Sequence, residues 1–187
     1  MGFTRPELEQ FRNATVPDLV TDGVELLFVG INPGLWTAAT QTHFAYPGNR
    51  FYPALRKAGI VDWDISPSDG MSDADRLRFT SLGLGITNVV NRATAKASEL
   101  TPAEVRAGAE ALVERIERWR PTVVAIAGIT AYRTGFRLPK ATMGAQPQGI
   151  GDALLWVVPN PSGLNAHETV DSLASWYRKA ADACRRG

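Results

Sequence analysis

The sequence predicts an α/β fold: a mostly parallel β-sheet covered by helices on both faces. Short apolar runs alternate with segments of helical character along the chain, which is the pattern of such sheets. The runs "VELLFV" and "TVVAIA" are apolar nearly throughout, as strands buried on both faces must be. Three of the apolar runs end in loops built from Gly, Pro, Asn and Thr. In an open parallel sheet, ligands bind beyond the C-terminal strand ends, where the strand order reverses. The unusual loops therefore lie where a site belongs.

Taken in order, Arg5–Asn13 reads as a first helix. The first strand, Val24–Val29, opens into Gly30-Ile31-Asn32-Pro33-Gly34. Asn49–Ala58 carries apolar residues at Phe51, Tyr52, Leu55 and Ala58, near helical spacing, and Ser72–Leu82 is a further helix. Leu84–Val90 is the second strand. Thr101–Trp119 is the clearest helix: Thr101 caps it, Pro102 takes its first position, Glu104 completes a capping box, and Pro121 ends it. Thr122–Ala127 is the third strand, and Gly128–Gly135 a short helix after it. Ala153–Val158 is the fourth strand, followed by Pro159-Asn160-Pro161-Ser162-Gly163-Leu164-Asn165 and a last helix, Glu168–Arg185. Residues 60 to 74 and 137 to 152 read as loops.

A chain of 187 residues with 44% hydrophobic content fits one domain with a real core. Its formal net charge of +1 means that any nucleic-acid surface must be local. The one cysteine, Cys184, cannot form an internal disulfide or build a cysteine-based zinc or iron–sulfur site. The two histidines are far apart, and no carboxylate cluster accompanies them, so no metal is expected. The start, "MGFTRPELEQ", lacks an apolar signal core, and no apolar run approaches the roughly 18 residues of a membrane span. A cytoplasmic protein is the expectation.

In the first loop, glycine permits close backbone approach and positive φ, and the Asn32 amide both donates and accepts. It can orient a water or bind a carbonyl, but it is no general base near neutral pH. By itself Asn-Pro-Gly is also ordinary turn punctuation. In the last loop, Ser162 or Asn165 could equally cap the next helix. Leu164 is the odd residue there: at a loop tip facing DNA, an apolar side chain acts as a wedge.

Three segments in order, "GINPGL" (30–35), "HFAYPGNRF" (43–51) and "NPSGL" (160–164), carry a resemblance. With weaker similarity in "GITNVVNRAT" (85–94) and from Thr101 to Gly128, the chain resembles the mismatch-specific uracil-DNA glycosylases, relatives of thymine-DNA glycosylase. The resemblance implies a three-layer α/β/α sandwich whose central, mostly parallel sheet has four or five strands. It implies a monomeric, cofactor-free, monofunctional glycosylase that flips a uracil from a G·U mismatch and hydrolyses its N-glycosidic bond. The implied partner is double-stranded DNA with a mismatched or damaged base, and no membrane. Asn32 matches the asparagine that positions the attacking water, and Phe44 the aromatic that stacks on the base. The pocket would be completed by Gly30, Ile31, Pro33, Gly34, Thr37 and His43, with backbone amides near Ile31 and Phe44 facing the base carbonyls. Asn160, Pro161, Ser162, Gly163, Leu164 and Asn165 match the wedge and opposite-strand loop.

The sequence departs from relatives at Trp36 and Thr37, where theirs are smaller. Thr37 could exclude a 5-methyl group, while Trp36 is either a pocket residue or a core anchor. Ala166 stands where relatives often carry a basic residue. His43 either meets the base or a phosphate, or is a satisfied loop histidine, and His167 reads as a helix-start residue. Arg50, Arg92 and Lys96 are candidate phosphate contacts; Arg133, Arg137 and Lys140 also lie near loops. A dinucleotide-binding enzyme is disfavoured, since the first loop lacks the glycine fingerprint and a P-loop lysine. A glycosylase for hypoxanthine or an etheno base, and a mismatch binder without chemistry, stay open.

Overall fold

The computed structural model describes residues 2 to 186. Five strands form one sheet in the order β2-β1-β3-β5-β4. β1 (Leu26–Gly30), β2 (Leu84–Asn88), β3 (Val123–Ala127) and β5 (Leu154–Val158) are mutually parallel. β4 (Gly144–Ala145) runs antiparallel to β5 at the edge. The helices are α1 (Arg5–Glu9), α2 (Leu35–Thr40), α3 (Phe51–Lys57), α4 (Asp73–Ser81), α5 (Pro102–Trp119), α6 (Ile129–Gly135) and α7 (Val170–Cys184).

The alternation of side chains along each strand builds two cores. From β1 and β3, Leu26, Phe28, Val123, Ala125 and Ala127 join one core with Phe51, Phe79 and Tyr177 of α3, α4 and α7. The intervening Leu27, Val29, Val124 and Ile126 join the other, with Leu112 and Ile116 of α5 and Tyr132 of α6. Apolar residues on both faces explain why these strands read as unbroken apolar runs. The result is an α/β/α sandwich around a five-stranded, mostly parallel sheet. Between β1 and β3 the chain order reverses, so the cleft above these two strands is the expected binding position.

Two elements differ from the sequence reading. Leu35–Thr40, "LWTAAT", is a helix, so Trp36 and Thr37 are helical rather than loop residues. Its six residues, two of them threonines, give no apolar periodicity to read; it ends where Gln41 turns left-handed at φ 52°. β4 lies in the segment read as loop, and two residues cannot show an alternating pattern. The capping box expected at Thr101 is half formed. The Thr101 hydroxyl accepts from the Glu104 N–H at 3.1 Å, but the Glu104 carboxylate turns to Arg92. A complete box stands instead at Thr4–Glu7. The segment after β2 stays pinned to the β1 loop: Val89, Val90 and Thr94 donate to the carbonyls of Gly30, Ile31 and Pro33. Gly108 lets α5 close on this segment, since a Cβ there would stand 2.5 Å from the Val89 carbonyl oxygen.

Candidate active site

A cavity of about 750 Å³ opens at the C-terminal ends of the parallel strands. Its wall collects the first loop from Gly30 to Thr37, then His43 and Phe44, then Asn160, Ser162, Gly163 and Leu164. The three segments that carry the resemblance therefore converge on one space, though they span most of the chain.

Asn32 is held with a defined polarity. Its Nδ2 lies 2.8 Å from the Arg92 carbonyl oxygen, 2.8 Å from Thr94 Oγ1 and 3.2 Å from the Pro33 carbonyl oxygen. Carbonyls only accept, so the nitrogen must face them. The oxygen Oδ1 is thereby left on the other side, with no protein donor among the described residues. Thr94 Oγ1 donates to the Lys96 carbonyl at 2.8 Å, so its lone pair is turned to Asn32. Thr94 is buried and also lines the cavity.

Phe44 takes a left-handed backbone, φ 55°, which costs a bulky residue about 1–2 kcal/mol. His43 is anchored on both sides, its backbone carbonyl accepting from the Tyr52 hydroxyl at 2.8 Å. The Phe44 ring stacks on Phe51 with centroids 4.1 Å apart and leaves its other face half exposed. The N–H groups of Ile31 and Phe44 have no acceptor in the protein among the described residues.

Asn88, at the end of β2, is a site residue that the sequence reading missed. His43 Nε2 lies 2.8 Å from the Pro17 carbonyl oxygen, so that nitrogen must carry the proton. In the neutral ring Nδ1 is then an acceptor, and Asn88 Nδ2 donates to it at 3.2 Å. This orients the Asn88 Oδ1 towards Gly30, and Asn88 lines the cavity. Burial lowers the His43 pKa and favours the neutral ring. His43 is thus a satisfied, buried histidine that directs Asn88, not a phosphate contact. No composition signal marks Asn88 within the apolar run Leu84–Val90; only the sheet topology aims it.

The glycines serve differently than read from sequence, because neither Gly30 nor Gly34 has positive φ. A Cβ on Gly30 would meet Asn88 Oδ1 at 2.6 Å and Phe44 Cζ at 3.3 Å, so glycine lets these two residues close over the strand end. Gly34 faces open space. Thr37 is buried in the wall. Trp36 also lines the wall, and its Nε1 donates to the Ser68 carbonyl at 2.8 Å. Edge-on contacts to Phe3 and Tyr46 hold its ring, so it is both anchor and lining.

The last loop is locked by its own polar groups. Asn160 Oδ1 accepts from the Ser162 N–H at 2.9 Å, and Asn165 Nδ2 donates to the Asn160 carbonyl at 3.1 Å. Neither Ser162 nor Asn165 caps α7; Thr169 does, and exposed His167 precedes it. At the tip, Leu164 is 90% exposed, an unusual position for a leucine. Pro161 is buried beneath, its carbonyl accepting from the Arg50 N–H at 3.0 Å.

Two of the three candidate phosphate contacts are engaged within the protein. The Arg50 guanidinium donates to the carbonyls of Gly163 at 3.1 Å and Asn165 at 3.2 Å. It also donates to Glu168 O. Arg92 grips Glu104 with two bonds of 2.6 and 2.9 Å, and reaches Asn13 Oδ1 at 2.8 Å. That pairing lowers the Glu104 pKa. Lys96 is exposed between the lining residues Ala95 and Ala97.

The chain and its fold are similar to known proteins. The model of the family described as "Uracil DNA glycosylase superfamily" matches residues 17–182. A solution NMR structure of a candidate uracil DNA glycosylase from Methanosarcina acetivorans superposes with a TM-score of 0.61. At 16% identity it covers 90% of this chain and 96% of that one, a likeness of fold. With the family model spanning most of its length, and with the matched loops meeting at one cavity above the sheet's switch point, the chain belongs to the uracil DNA glycosylase superfamily.

Proposed function

We propose that the protein is a monofunctional glycosylase that removes uracil from G·U mismatches in double-stranded DNA. The observation that carries this reading is the Asn32 amide, tethered through nitrogen so that its oxygen is left without a protein donor among the described residues, in a cavity that Phe44 also lines. A base inside the stack cannot be reached, so the nucleotide must be extruded, at a cost of roughly a few kcal/mol that is smaller for a mispaired base. The extruded uracil lies against Phe44. Its carbonyls accept from the free N–H groups of Ile31 and Phe44, and the oriented Asn88 amide meets its edge.

As the N-glycosidic bond breaks, the bonding pair leaves with the base, which becomes an anion, and the sugar becomes a cation. Preorganised donors hold the developing charge, each worth about 3 kcal/mol. Asn32 Oδ1 accepts a hydrogen bond from a water and aims it at the anomeric carbon. That water adds its oxygen to the sugar and releases a proton, which neutralises the departing base or passes to solvent. An abasic site and free uracil result. No carboxylate acts as base in this scheme, so the reaction depends on a good leaving group. In this reading Thr37, a buried residue of the wall, crowds a 5-methyl group and disfavours thymine. Leu164 fills the gap in the stack, and Asn165 faces the opposite strand.

Single-turnover cleavage of labelled duplexes containing G·U, A·U, G·T, hypoxanthine or ethenocytosine tests the reading. Strong G·U cleavage that disappears in Asn32→Ala is the expected result. Cleavage confined to another lesion would replace the substrate and keep the chemistry. Tight mismatch binding without any cleavage would overturn the enzymatic reading.

A further inference from the structure

The family match begins at residue 17, yet Arg5, Leu8 and Glu9 line the cavity. The segment that carries them is firmly docked. Leu8, Phe11 and Ala14 pack against Val16, Leu35, Ala38 and Ala93. Phe3 meets Trp36 edge-on at 4.9 Å. Asn13 N donates to the Ala93 carbonyl and Ala93 N to the Ala14 carbonyl, each at 2.9 Å. Arg12 ties Glu9 and Glu99 together. A segment outside the matched domain thus forms part of the wall.

The charges at this wall are unevenly engaged. Among the described residues, only two cations line the cavity, Arg5 and Arg50. Arg50 is held by three carbonyls of the last loop. Glu9 is neutralised by Arg12. Arg5 is exposed, and its side chain has no hydrogen bond or ion pair among the described residues. A guanidinium presented this way suits the fork geometry of a phosphate.

We propose that the segment from Phe3 to Asn13 is a DNA-contact element added to the domain, in which Arg5 meets a backbone phosphate of the strand carrying the extruded nucleotide. The proposal rests on the glycosylase reading above. The sheet order supplies the geometry. α1 packs on α2, which follows β1, whereas the Leu164 loop follows β5, two strands from β1 and so about 10 Å across the sheet. Arg5 thus lines the cavity from the β1 side and Leu164 from the β5 side. A DNA strand that runs from the wedge along the mouth meets Arg5 on the β1 side. Such a contact sets register and strengthens binding without reading sequence.

The test measures equilibrium binding to a duplex with a tetrahydrofuran abasic site opposite guanine, over a series of salt concentrations. It is paired with single-turnover cleavage of the lesion duplexes above. For Arg5→Gln, Kd at about 0.1 M salt should rise roughly 3–10-fold, and the log–log salt slope should flatten by about 0.9, the signature of one lost phosphate contact. The maximal cleavage rate at saturating enzyme should stay within about twofold, because Arg5 touches no reacting atom. Arg5→Lys should recover the slope. Arg118→Gln, in the last turn of α5 and so at the opposite end of the sheet, should match the wild type. If the wild type binds and cleaves while Arg5→Gln shows unchanged Kd and slope, this proposal falls and the glycosylase reading stands. If the wild type neither cleaves nor binds duplex with salt dependence, the glycosylase reading falls and takes this one with it.

Discussion

At the scale of single residues, the site is a set of amides whose polarity is dictated by neighbours that can only accept. The Arg92 and Pro33 carbonyls turn the Asn32 nitrogen inward, and Thr94 completes the hold. Asn32→Ala is expected to reduce single-turnover cleavage by on the order of 10²–10³-fold. Thr94→Val removes one bond to Asn32, worth about 1 kcal/mol. It should slow the chemical step roughly fivefold and leave half-saturation unchanged. His43 yields a pH prediction. Burial lowers its pKa below the ordinary 6.5, so between the two values the unfolded chain binds more protons than the folded one. Stability is fully present above about pH 6.5. It declines as acid is added, until the ring protonates in the folded state. Urea midpoints between about pH 5 and 8 should fall more steeply in the wild type than in His43→Gln; parallel curves would contradict this. The sequence pointed to Asn32 and Leu164 because they stand out in loops that follow apolar runs, and to Phe44 through the family resemblance. It could not show Asn88 or Thr94, whose roles depend on which way a side chain points across the sheet end.

At the scale of elements, the last loop and the start of α3 form one unit. A Cβ on Gly163 would stand 2.6 Å from the Gly48 carbonyl oxygen, and neither backbone can yield easily. Arg50 bridges from the start of α3 to the carbonyls of Gly163, Asn165 and Glu168, so it ties the two segments together. Arg50→Ala and Gly163→Ala should both loosen or shift Leu164. Cleavage of uracil in duplex DNA is expected to fall at least tenfold, while cleavage in single-stranded DNA, where no stack must be refilled, stays near wild type. Equal losses on both substrates would mean that the loop supports the pocket instead. Elements with a period, a cap or an unbroken apolar run were legible here, and α2 and β4 have none of these. α5 announces itself through Thr101, Pro102 and a buried stripe at Val105, Ala109, Leu112 and Ile116. α2 and β4 have too few residues for a period, and exist because Leu35 and Ala38 find a small core and β5 offers an open edge.

At the scale of the whole molecule, one sheet separates two cores, and both must hold for the strand ends to stay in register. Leu112 is fully buried between α5 and the sheet, away from the cavity wall. Leu112→Ala should cost about 2–5 kcal/mol through the void it leaves. For a domain of this size that is a thermal-midpoint drop of roughly 5–15 °C. Cleavage at low temperature should be nearly unchanged, since Leu112 touches nothing in the site. The sandwich was legible because buried parallel strands must be apolar on both faces, a constraint that composition alone exposes. The docking of α1 onto the cavity was not, because Leu8 and Phe11 meet partners far along the chain, and no local pattern encodes a pairing of that range.

The position of Trp36 has an optical consequence. Of the five tryptophans, it alone is part of the cavity wall, its indole edge-on to Phe3 and Tyr46 and its N–H fastened to Ser68. Its fluorescence is therefore a native gauge of what occupies the cavity. A base or strand arriving beside the ring changes its contact with water and quenches it, in the time it takes to mix two solutions and without a label on either partner.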